Sequence, residues 1–334
     1  MQILDNIFSI KKTNVGLEKH KTITILGFSF TYITNKTEKV FKKVQKNYSK
    51  VLNRVRKISD KRKVKVAFVV SENSKWCYQP LYDLLEKDAS FEPVVLISLL
   101  TSVHNGIDTT RKNANENYNF FKSRGMNVDY LYKNGRYTDL KKFKPDFVFY
   151  EQPWDLPKKY MPESVSKYAL TFNCPYSYAI LDNRYIYYNN KFHCYLFKYF
   201  IEHELNLDFY YKYDKNALQV CKVIGHPKLD NFGISTSDNS PIWKEKDKIK
   251  IIYAPHHSFD KSLKLATFQK NSQYILDLAK RHPETTWIFK PHPRFKFAVM
   301  KVGIMTEEEI NNYYDEWAKI GRSEEHTSEL QSLA

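Results

Sequence analysis

The opening part of the chain combines two strand-like runs with one long run of helical periodicity. Residues 6–12 and 21–33 are rich in apolar and β-branched side chains and flank the turn-like segment 13–20, which predicts a β-hairpin. Across residues 37–58, apolar side chains recur at steps of three and four, which predicts a helix with one continuous apolar face. That face consists of Val40, Phe41, Val44, Tyr48, Val51, Leu52, Val55 and Ile58. The remaining helix positions are strongly basic: Lys39, Lys42, Lys43, Lys46, Lys50, Arg54, Arg56 and Lys57.

From Lys63 onward the pattern changes to short apolar strands separated by helical stretches. The predicted strands lie in 63–70, 92–100, 127–132, 145–153 and 168–181, and the predicted helices around 76–88, 111–124 and 138–144. Such alternation predicts a parallel α/β sheet. After a polar connection, a second unit of the same kind has strands at 249–254 and 286–291 and helices near 270–281 and 306–319. We therefore predict four regions: 1–62, 63–236, 237–321 and 322–334.

The composition excludes several classes of protein. Of 334 residues, 42% are hydrophobic and 16% aromatic, which is enough to build cores and argues against a disordered chain. No apolar run reaches about 18 residues and no signal-peptide core is present, so we expect neither a transmembrane helix nor secretion. The four cysteines lack CxxC spacing, which indicates a reduced cytoplasmic protein, and we predict no metal site.

The positive charge is concentrated in one region. The formal net charge is +16, and residues 1–63 hold sixteen Lys and Arg against four Asp and Glu, a net of +12 that leaves +4 for the rest. A local excess of this size indicates a surface that docks on something anionic. Because the charge lies on one appendage and no DNA- or RNA-binding motif is present, we expect no nucleic-acid partner.

Two interpretations of the basic helix remain compatible. It can lie on an anionic membrane, with its apolar face buried among lipids beside Lys42, Lys43, Lys46, Lys50 and Arg54. Alternatively, its apolar face packs on the following domain and its basic face is solvated.

Two histidine-bearing motifs stand at the ends of predicted strands. They are "IIYAPHHSFD" at 251–260 and "WIFKPHPRFK" at 287–296, and their separation is that of one βαβ unit. Ligands of open α/β sheets bind at the carboxyl ends of strands. We therefore expect these loops to converge on one site, with one of the two adjacent histidines facing it. Catalytic roles are predicted for His256, His257 and His292, and donor-phosphate binding for Lys290, Arg294 and Ser258.

Three further segments follow predicted strands and supply weaker candidates. "VIGHPKLDNF" at 223–232 places Gly225, His226, Pro227 and Asp230 near the predicted domain boundary, as hinge or site residues. "SENSKW" at 71–76 offers Ser71, Glu72 and Asn73, and "EQPWD" at 151–155 offers Glu151, all as acceptor-side residues. Each also fits a purely structural capping role.

The last residues have an unusual composition. "RSEEHTSELQS", residues 322–332, resembles the translation of a common sequencing-library adapter over all eleven residues. We therefore expect residues 322–334 to belong to no packed element, and the natural reading frame to continue beyond Ile320.

The ordered set of GHPKLD, IIYAPHHS and FKPHPR resembles the CDP-glycerol glycerophosphotransferase family over roughly residues 64–300. His292 and Pro293 match the family's His–Pro motif. Gly225, Pro227 and Asp230 match its Gly-x-Pro-x-x-Asp pattern, with Lys228 where Arg is usual. After Pro255 the family has Thr, an aromatic residue and Arg, whereas this chain has His256, His257 and Ser258. The family's later Asp-Ser-Ser motif is absent.

This resemblance implies a GT-B-like α/β fold with two Rossmann-like domains facing a cleft, the second incomplete. It implies transfer of glycerol phosphate, or a related polyol phosphate, from a CDP-linked donor to a hydroxyl of a lipid-linked cell-surface polymer. A histidine would act as general base, and CMP would leave. The donor is a substrate, so no cofactor is predicted. The enzyme would work in the cytoplasm, held at the inner face of an anionic membrane.

Two alternatives remain open. A GT-B glycosyltransferase that uses a nucleotide sugar such as CMP-sialic acid also places a His–Pro motif at the donor phosphate. The second alternative is that the chain is an inactive truncated fragment.

Overall fold

The chain is organised as two compact units, residues 1–232 and 233–334. Its structure, a computed structural model, describes residues 8–15, 18–25, 28–33, 36–101, 107–178, 188, 190–230, 243, 247–259, 265–292, 294–320 and 323–325. Each unit is built around its own parallel sheet. Two successive parallel α/β units are the organisation predicted as GT-B-like, and this part of the prediction is confirmed.

The N-terminal segment forms a three-stranded antiparallel meander. Its strands are β1 (Phe8–Val15), β2 (Glu18–Ile25) and β3 (Phe28–Ile33), paired in the order β1-β2-β3. The predicted two-stranded hairpin is therefore wrong, since the second apolar run forms two strands rather than one. The added strand uses the backbone donors and acceptors on the second edge of β2, which a hairpin would leave unpaired.

The long helix α1 (Lys36–Ile58) packs its apolar face on the first unit. Five of its residues belong to that core: Phe41, Val44, Tyr48, Val51 and Val55. The Tyr48 hydroxyl donates to the Tyr195 carbonyl at 2.7 Å and hydrogen-bonds the Thr171 hydroxyl at 2.5 Å. The interpretation of an apolar face buried in lipid is therefore wrong, because packing on the protein already covers that face. In the described residues, no helix combines the length and apolarity needed to cross a bilayer.

The first unit contains a seven-stranded parallel sheet in the order β12-β11-β10-β9-β4-β5-β6. The strands are β4 (Val64–Val70), β5 (Phe91–Ile97), β6 (Val128–Tyr130), β9 (Phe147–Tyr150), β10 (Leu170–Asn173), β11 (Lys198–Ile201) and β12 (Cys221–Val223). A small ribbon, β7 (Tyr132–Lys133) and β8 (Arg136–Tyr137), lies between β6 and β9 in the chain. The helices are α2 (Gln79–Lys87), α3 (Ile107–Ser123), α4 (Pro162–Val165), α5 (Lys191–Cys194), α6 (Leu205–Tyr213) and α7 (Lys215–Val220). The strand order reverses direction between β4 and β9, and at such a point α/β sheets leave a crevice at their carboxyl edge.

The second unit contains β13 (Ile249–Tyr253), α8 (Phe268–Arg281), β14 (Thr285–Phe289), α9 (Phe295–Lys301) and α10 (Glu307–Lys319). β13 and β14 are parallel neighbours, as predicted. The core includes Phe268, Leu276, Phe289, Phe295, Ile310 and Trp317. A capping box at Thr306 and Glu309 fixes the start of α10.

The adapter-like tail contributes one short strand. β15 (Ser323–Glu325) pairs in parallel with β14, so the expectation of no packed element is wrong for these residues. The pairing uses backbone groups at the open edge of β14, and such pairing requires no apolar periodicity in the added segment. The rest of the predicted tail, 326–334 and Arg322, lies outside the described residues.

Candidate functional site

Two neighbouring strand ends bring the histidine loops of the second unit together. Tyr253 and Phe289 are paired in register, and His256 and His292 each follow their strand by three residues. The His292 amide donates to the Pro255 carbonyl at 3.1 Å, and the Lys290 amide donates to the Tyr253 carbonyl at 2.9 Å. The predicted convergence of these two loops is therefore present within this unit.

The three histidine rings form one cluster. The ring centroid of His257 lies 4.5 Å from that of His256 and 3.9 Å from that of His292, and the His256–His292 distance is 5.4 Å. Both rings of the adjacent pair therefore belong to this cluster, and which of them faces a ligand stays a prediction. His256 and His257 lie beyond the end of β13, where the alternation of side chains that holds within a strand no longer applies.

Two of these rings, in different loops, are each oriented by a hydrogen bond from the backbone amide two residues further along the chain. The Ser258 amide donates to Nδ1 of His256 at 3.1 Å, and the Arg294 amide donates to Nδ1 of His292 at 3.1 Å. A ring nitrogen that accepts a hydrogen bond carries no proton, so in the neutral ring the proton lies on Nε2. Both rings therefore present an Nε2–H donor. In this tautomer, neither Nε2 can accept a proton.

Ser258 positions His256. Its side chain is 4% exposed, its hydroxyl lies 2.8 Å from Nδ1 of His256, and it accepts from the Leu265 amide at 3.2 Å. Since both contacts are internal, the hydroxyl is committed to the loop and not to the predicted donor phosphate. Burial lowers the pKa of His256, which favours the neutral ring near pH 7.

Two cations lie on the loop after β14. The side chain of Lys290 is half-buried and that of Arg294 is exposed, on either side of His292 in the chain. Together with the two Nε2–H donors, this edge of the sheet offers positive charge and directed donors, the combination that phosphate oxygens require.

The predicted acceptor-side residues of the first unit meet at the reversal point of its sheet. Glu151, after β9, accepts from the Ser71 amide at 2.9 Å and the Glu72 amide at 3.2 Å, both after β4. Asn117 of α3 binds the same loop, since it accepts from the Asn73 amide at 2.8 Å and donates to the Ser71 carbonyl at 2.7 Å. The sequence thus identified one polar cluster, although Glu151 and Asn117 are buried and hold the loop in place.

Burial raises the pKa of Glu151 to about 8, against partial opposition from Lys75 and from the Ser71 amide. The carboxyl group is only 1% exposed. At neutral pH it is therefore largely protonated.

The raised pKa predicts a pH-dependent gain in stability for Glu151→Gln. Between pH 4.5, where this carboxyl titrates when unfolded, and about 8, only the unfolded chain releases the proton, so folding loses stability as pH rises. A glutamine keeps an acceptor oxygen and does not titrate. We expect thermal midpoints of the two proteins to be similar at pH 5 and the variant to be higher at pH 8 to 9, as measured by melting curves at each pH. The exposed change Glu116→Gln is the control, and an offset for Glu151→Gln that is the same at pH 5 and pH 9 contradicts the assignment.

Several residues of this cluster were missed by sequence reasoning. The Lys75 ammonium group pairs with Glu72 and donates to Gln152 Oε1 at 2.6 Å. It also lies 5.7 Å from the Trp154 ring and 5.5 Å from the Tyr176 ring. The available signal was position, since each follows a strand end of the sheet's central region. Lys75, Gln152 and Trp154 lie inside the quoted segments 71–76 and 151–155, but they were not chosen as candidates.

The Gly225–Asp230 loop follows β12 at the carboxyl edge of the same sheet. Gly225 has φ +84°, a left-handed conformation that favours glycine. His226 is buried, stacks on Tyr178 at 4.6 Å, and accepts from the Lys228 amide at Nδ1. Burial lowers its pKa. Pro227 opens a short 3₁₀ turn, Pro227–Leu229, and Asp230 is exposed after it. The described part of this loop lies within the first unit.

No protein-family model matches the chain, and no curated protein matches it. Among solved structures, UDP-GlcNAc 2-epimerase from Neisseria meningitidis bound to UDP-GlcNAc has 14% identity and a TM-score of 0.46, covering 81% of this chain and 74% of that one. S. aureus MnaA with UDP has 12% identity and a TM-score of 0.47, with 81% and 70% covered. A glycosyltransferase from Rickettsia africae has 11% identity and a TM-score of 0.38, with 81% and 70% covered. Similarity at this level assigns neither a donor nor a reaction to the chain.

Proposed function

We propose that the chain transfers glycerol phosphate, or a related polyol phosphate, from a CDP-linked donor to a hydroxyl of a cell-surface polymer. The observation that carries the proposal is the histidine cluster of the second unit. Two rings with directed Nε2–H donors stand beside Lys290 and Arg294 at the carboxyl edge of parallel strands. Donors and cations in this arrangement suit the diphosphate of a nucleotide-linked donor better than they suit an uncharged ligand.

We assign the roles on the basis of the ring geometry. The acceptor oxygen attacks the β-phosphorus, the bond from that phosphorus to the bridging oxygen breaks, and CMP leaves with the electron pair. His256 and His292 donate to the phosphate oxygens, and Lys290 and Arg294 offset their charge. The base role falls to His257, which takes the hydroxyl proton while stacked on His292 at 3.9 Å. Phosphoryl transfer depends mainly on such positioning and charge stabilisation.

The test is a donor screen on the chain. It is incubated with a lipid-linked acceptor extract and, in separate reactions, CDP-glycerol, CDP-ribitol, CMP-sialic acid and UDP-N-acetylglucosamine. Acceptor-dependent CMP release from a CDP-polyol, with the polyol phosphate recovered on the acceptor, supports the proposal. Sugar transfer from CMP-sialic acid supports the glycosyltransferase alternative instead. No product from any donor supports the inactive-fragment alternative.

We further propose that the chain is cytoplasmic and peripheral at an anionic membrane surface, where a lipid-linked acceptor is found. The support is the exposed basic side of α1. Lys42, Lys43, Lys46 and Lys50 are exposed, whereas Arg54 donates to the Tyr168 carbonyl at 2.6 Å and pairs with Asp146 at 3.5 Å. Arg54 thus has a structural role, and the four lysines remain as the membrane-facing charges.

Reversing those four lysines to glutamate is expected to abolish binding to anionic vesicles at low salt. The change removes attraction worth about 1 kcal/mol for each cation near the surface and adds repulsion. Co-sedimentation with phosphatidylglycerol vesicles measures the bound fraction. The control reverses four exposed lysines elsewhere in the first unit: Lys87, Lys122, Lys158 and Lys222. Equal binding by both variants would show that the basic helix face has another purpose.

A further inference from the structure

The reversal point of the seven-stranded sheet carries an exposed aromatic residue. Trp154 follows β9 and is 43% exposed, and its ring centroid lies 6.0 Å from that of Tyr176, which follows β10. The two rings meet at an interplanar angle of 81°. An exposed tryptophan at the crevice of an α/β sheet offers a large apolar contact surface where a ligand binds.

Polar groups around this ring are already held in place. Lys75 is fixed between Glu72 and Gln152, and the Gln152 side chain donates to the Trp154 carbonyl at 3.0 Å. The Glu72 amide is held by buried Glu151. A ring with fixed donors and acceptors at its border suits a ligand with an apolar face and hydroxyls around its edge.

The charges of the cluster nearly cancel. Lys75 is paired with Glu72, and Glu151 is largely protonated at neutral pH. A polyanion therefore gains little here, in contrast to the loop with Lys290 and Arg294. The binding of an uncharged ligand is not weakened by this cancellation, because it does not depend on a net charge at the site.

We infer that Trp154, Tyr176, Lys75 and Glu72 bind an uncharged sugar ring, while buried Gln152 holds Lys75 and the Trp154 backbone in place. The apolar C–H face of a pyranose would stack on Trp154, and its hydroxyls would hydrogen-bond Lys75 and Glu72. This rests on the proposed function, for which it identifies the acceptor as a glycan bound through a neutral sugar.

The test measures binding in the absence of donor. Methyl glycosides of glucose and of N-acetylglucosamine serve as neutral probes, and a glycerol phosphate oligomer as the anionic probe, in saturation-transfer NMR and titration with the full chain. We expect a neutral glycoside to bind and Trp154→Ala to weaken it at least about tenfold, with Trp154→Phe intermediate. Tyr274→Ala, which removes a 63% exposed ring from the second unit, is the control and is expected to change nothing.

Three outcomes overturn the inference: no binding of either glycoside, binding unchanged by Trp154→Ala, or a Trp154-dependent preference for the glycerol phosphate oligomer. Because no donor is present, the result is separate from that of the donor screen. Loss of glycoside binding in Trp154→Ala supports the sugar site even if no CDP-polyol is turned over.

A second, independent observation concerns the N-terminal meander. Ile10 pairs with Ile23, which pairs with Phe30, and Ile25 pairs with Phe28. Because paired residues share a face and neighbours alternate, these five side chains lie on one face of the sheet. Phe28 is 72% exposed, Phe30 66%, Ile10 47% and Ile25 46%.

The opposite face is polar, since Thr24 and Ser29 share a 2.8 Å hydrogen bond between their hydroxyls. The meander is therefore amphipathic. The meander lies within the segment of net charge +12, residues 1–63. An apolar surface on a strongly basic segment is complementary to an anionic bilayer, in which the apolar side chains enter between the headgroups.

We propose that this face of the meander, defined by Ile10, Ile23, Ile25, Phe28 and Phe30, docks on an anionic lipid surface. Flotation with vesicles of phosphatidylcholine and phosphatidylglycerol tests it. We expect Phe28→Ser/Phe30→Ser to lower the bound fraction at least about tenfold, including at salt concentrations where the basic helix face is screened. The control, Leu205→Ser/Tyr211→Ser, removes two exposed apolar residues of α6, 65% and 63% exposed.

Equal flotation of the phenylalanine variant and its control contradicts the proposal. Loss of concentration-dependent dimers in the variant, with unchanged vesicle binding, also overturns it and identifies the occupant as a second copy of the chain.

Discussion

His292→Ala is expected to lower the rate of polyol phosphate transfer by a factor of about 10² or more. The substitution removes a donor whose direction is set by the Arg294 amide at Nδ1, and the ring on which His257 stacks at 3.9 Å. In the proposed reaction, the His292 ring donates to the reacting phosphate and also supports His257, the general base. The expected loss lies in kcat, measured as CMP release at saturating donor.

His292→Gln separates the donor role from a base role, because its side-chain amide retains an N–H and cannot accept a proton near pH 7. We expect it to retain more activity than His292→Ala. His282→Ala is the matched control within the same unit, since His282 precedes β14 and lies at the opposite edge of the sheet. Full activity in both His292→Ala and the double change His256→Ala/His257→Ala would end the assignment of this site.

Trp317→Ala is expected to destabilise the second unit by about 3–5 kcal/mol, the range for removal of a large buried aromatic side chain. Trp317 is 1% exposed and stacks on Phe289 with centroids 5.1 Å apart and planes at 9°. It also contacts the rings of Trp287 and Tyr253, at 5.7 and 5.6 Å. Since these residues lie on β13 and β14, the same change should loosen both histidine loops.

Urea unfolding followed by near-ultraviolet circular dichroism measures this loss. Tyr274→Ala, at a 63% exposed position of the neighbouring helix, is expected to cost less than about 0.5 kcal/mol. A loss below about 1 kcal/mol for Trp317→Ala would show that the core of the second unit does not depend on this ring.

The pattern of the sequence was sufficient for the elements that carry the histidines. Alternating apolar strands and helices predicted two parallel α/β units, and the spacing of IIYAPHHS and FKPHPR predicted neighbouring strand ends. The pairing of Tyr253 with Phe289 confirms this. Local sequence determines such units because the hydrophobic period and the length of the crossover leave few alternatives.

Sequence periodicity identified the apolar face of α1 but did not determine what covers it. A helix that faces lipid and a helix that faces a protein core have the same spacing of apolar residues. Only the contacts of Tyr48 with Thr171 and Tyr195, more than a hundred residues away, show that a protein core covers this face. The strand count of the meander was equally ambiguous, because one apolar run of 13 residues fits one long strand or two short ones.

The protonation and grouping of site residues also depended on tertiary structure. His256 and His292 were identified from the sequence, but their role as Nε2–H donors follows from backbone amides that reach Nδ1 only in the folded turn. Lys75, Gln152, Trp154 and Tyr176 come from three separated segments, and no motif links them in the sequence. The sequence by itself thus determined the two parallel α/β units and the histidine motifs. The tertiary structure alone decided which faces are covered, which nitrogen carries the proton and which distant side chains meet, because each depends on contacts between residues far apart in the chain.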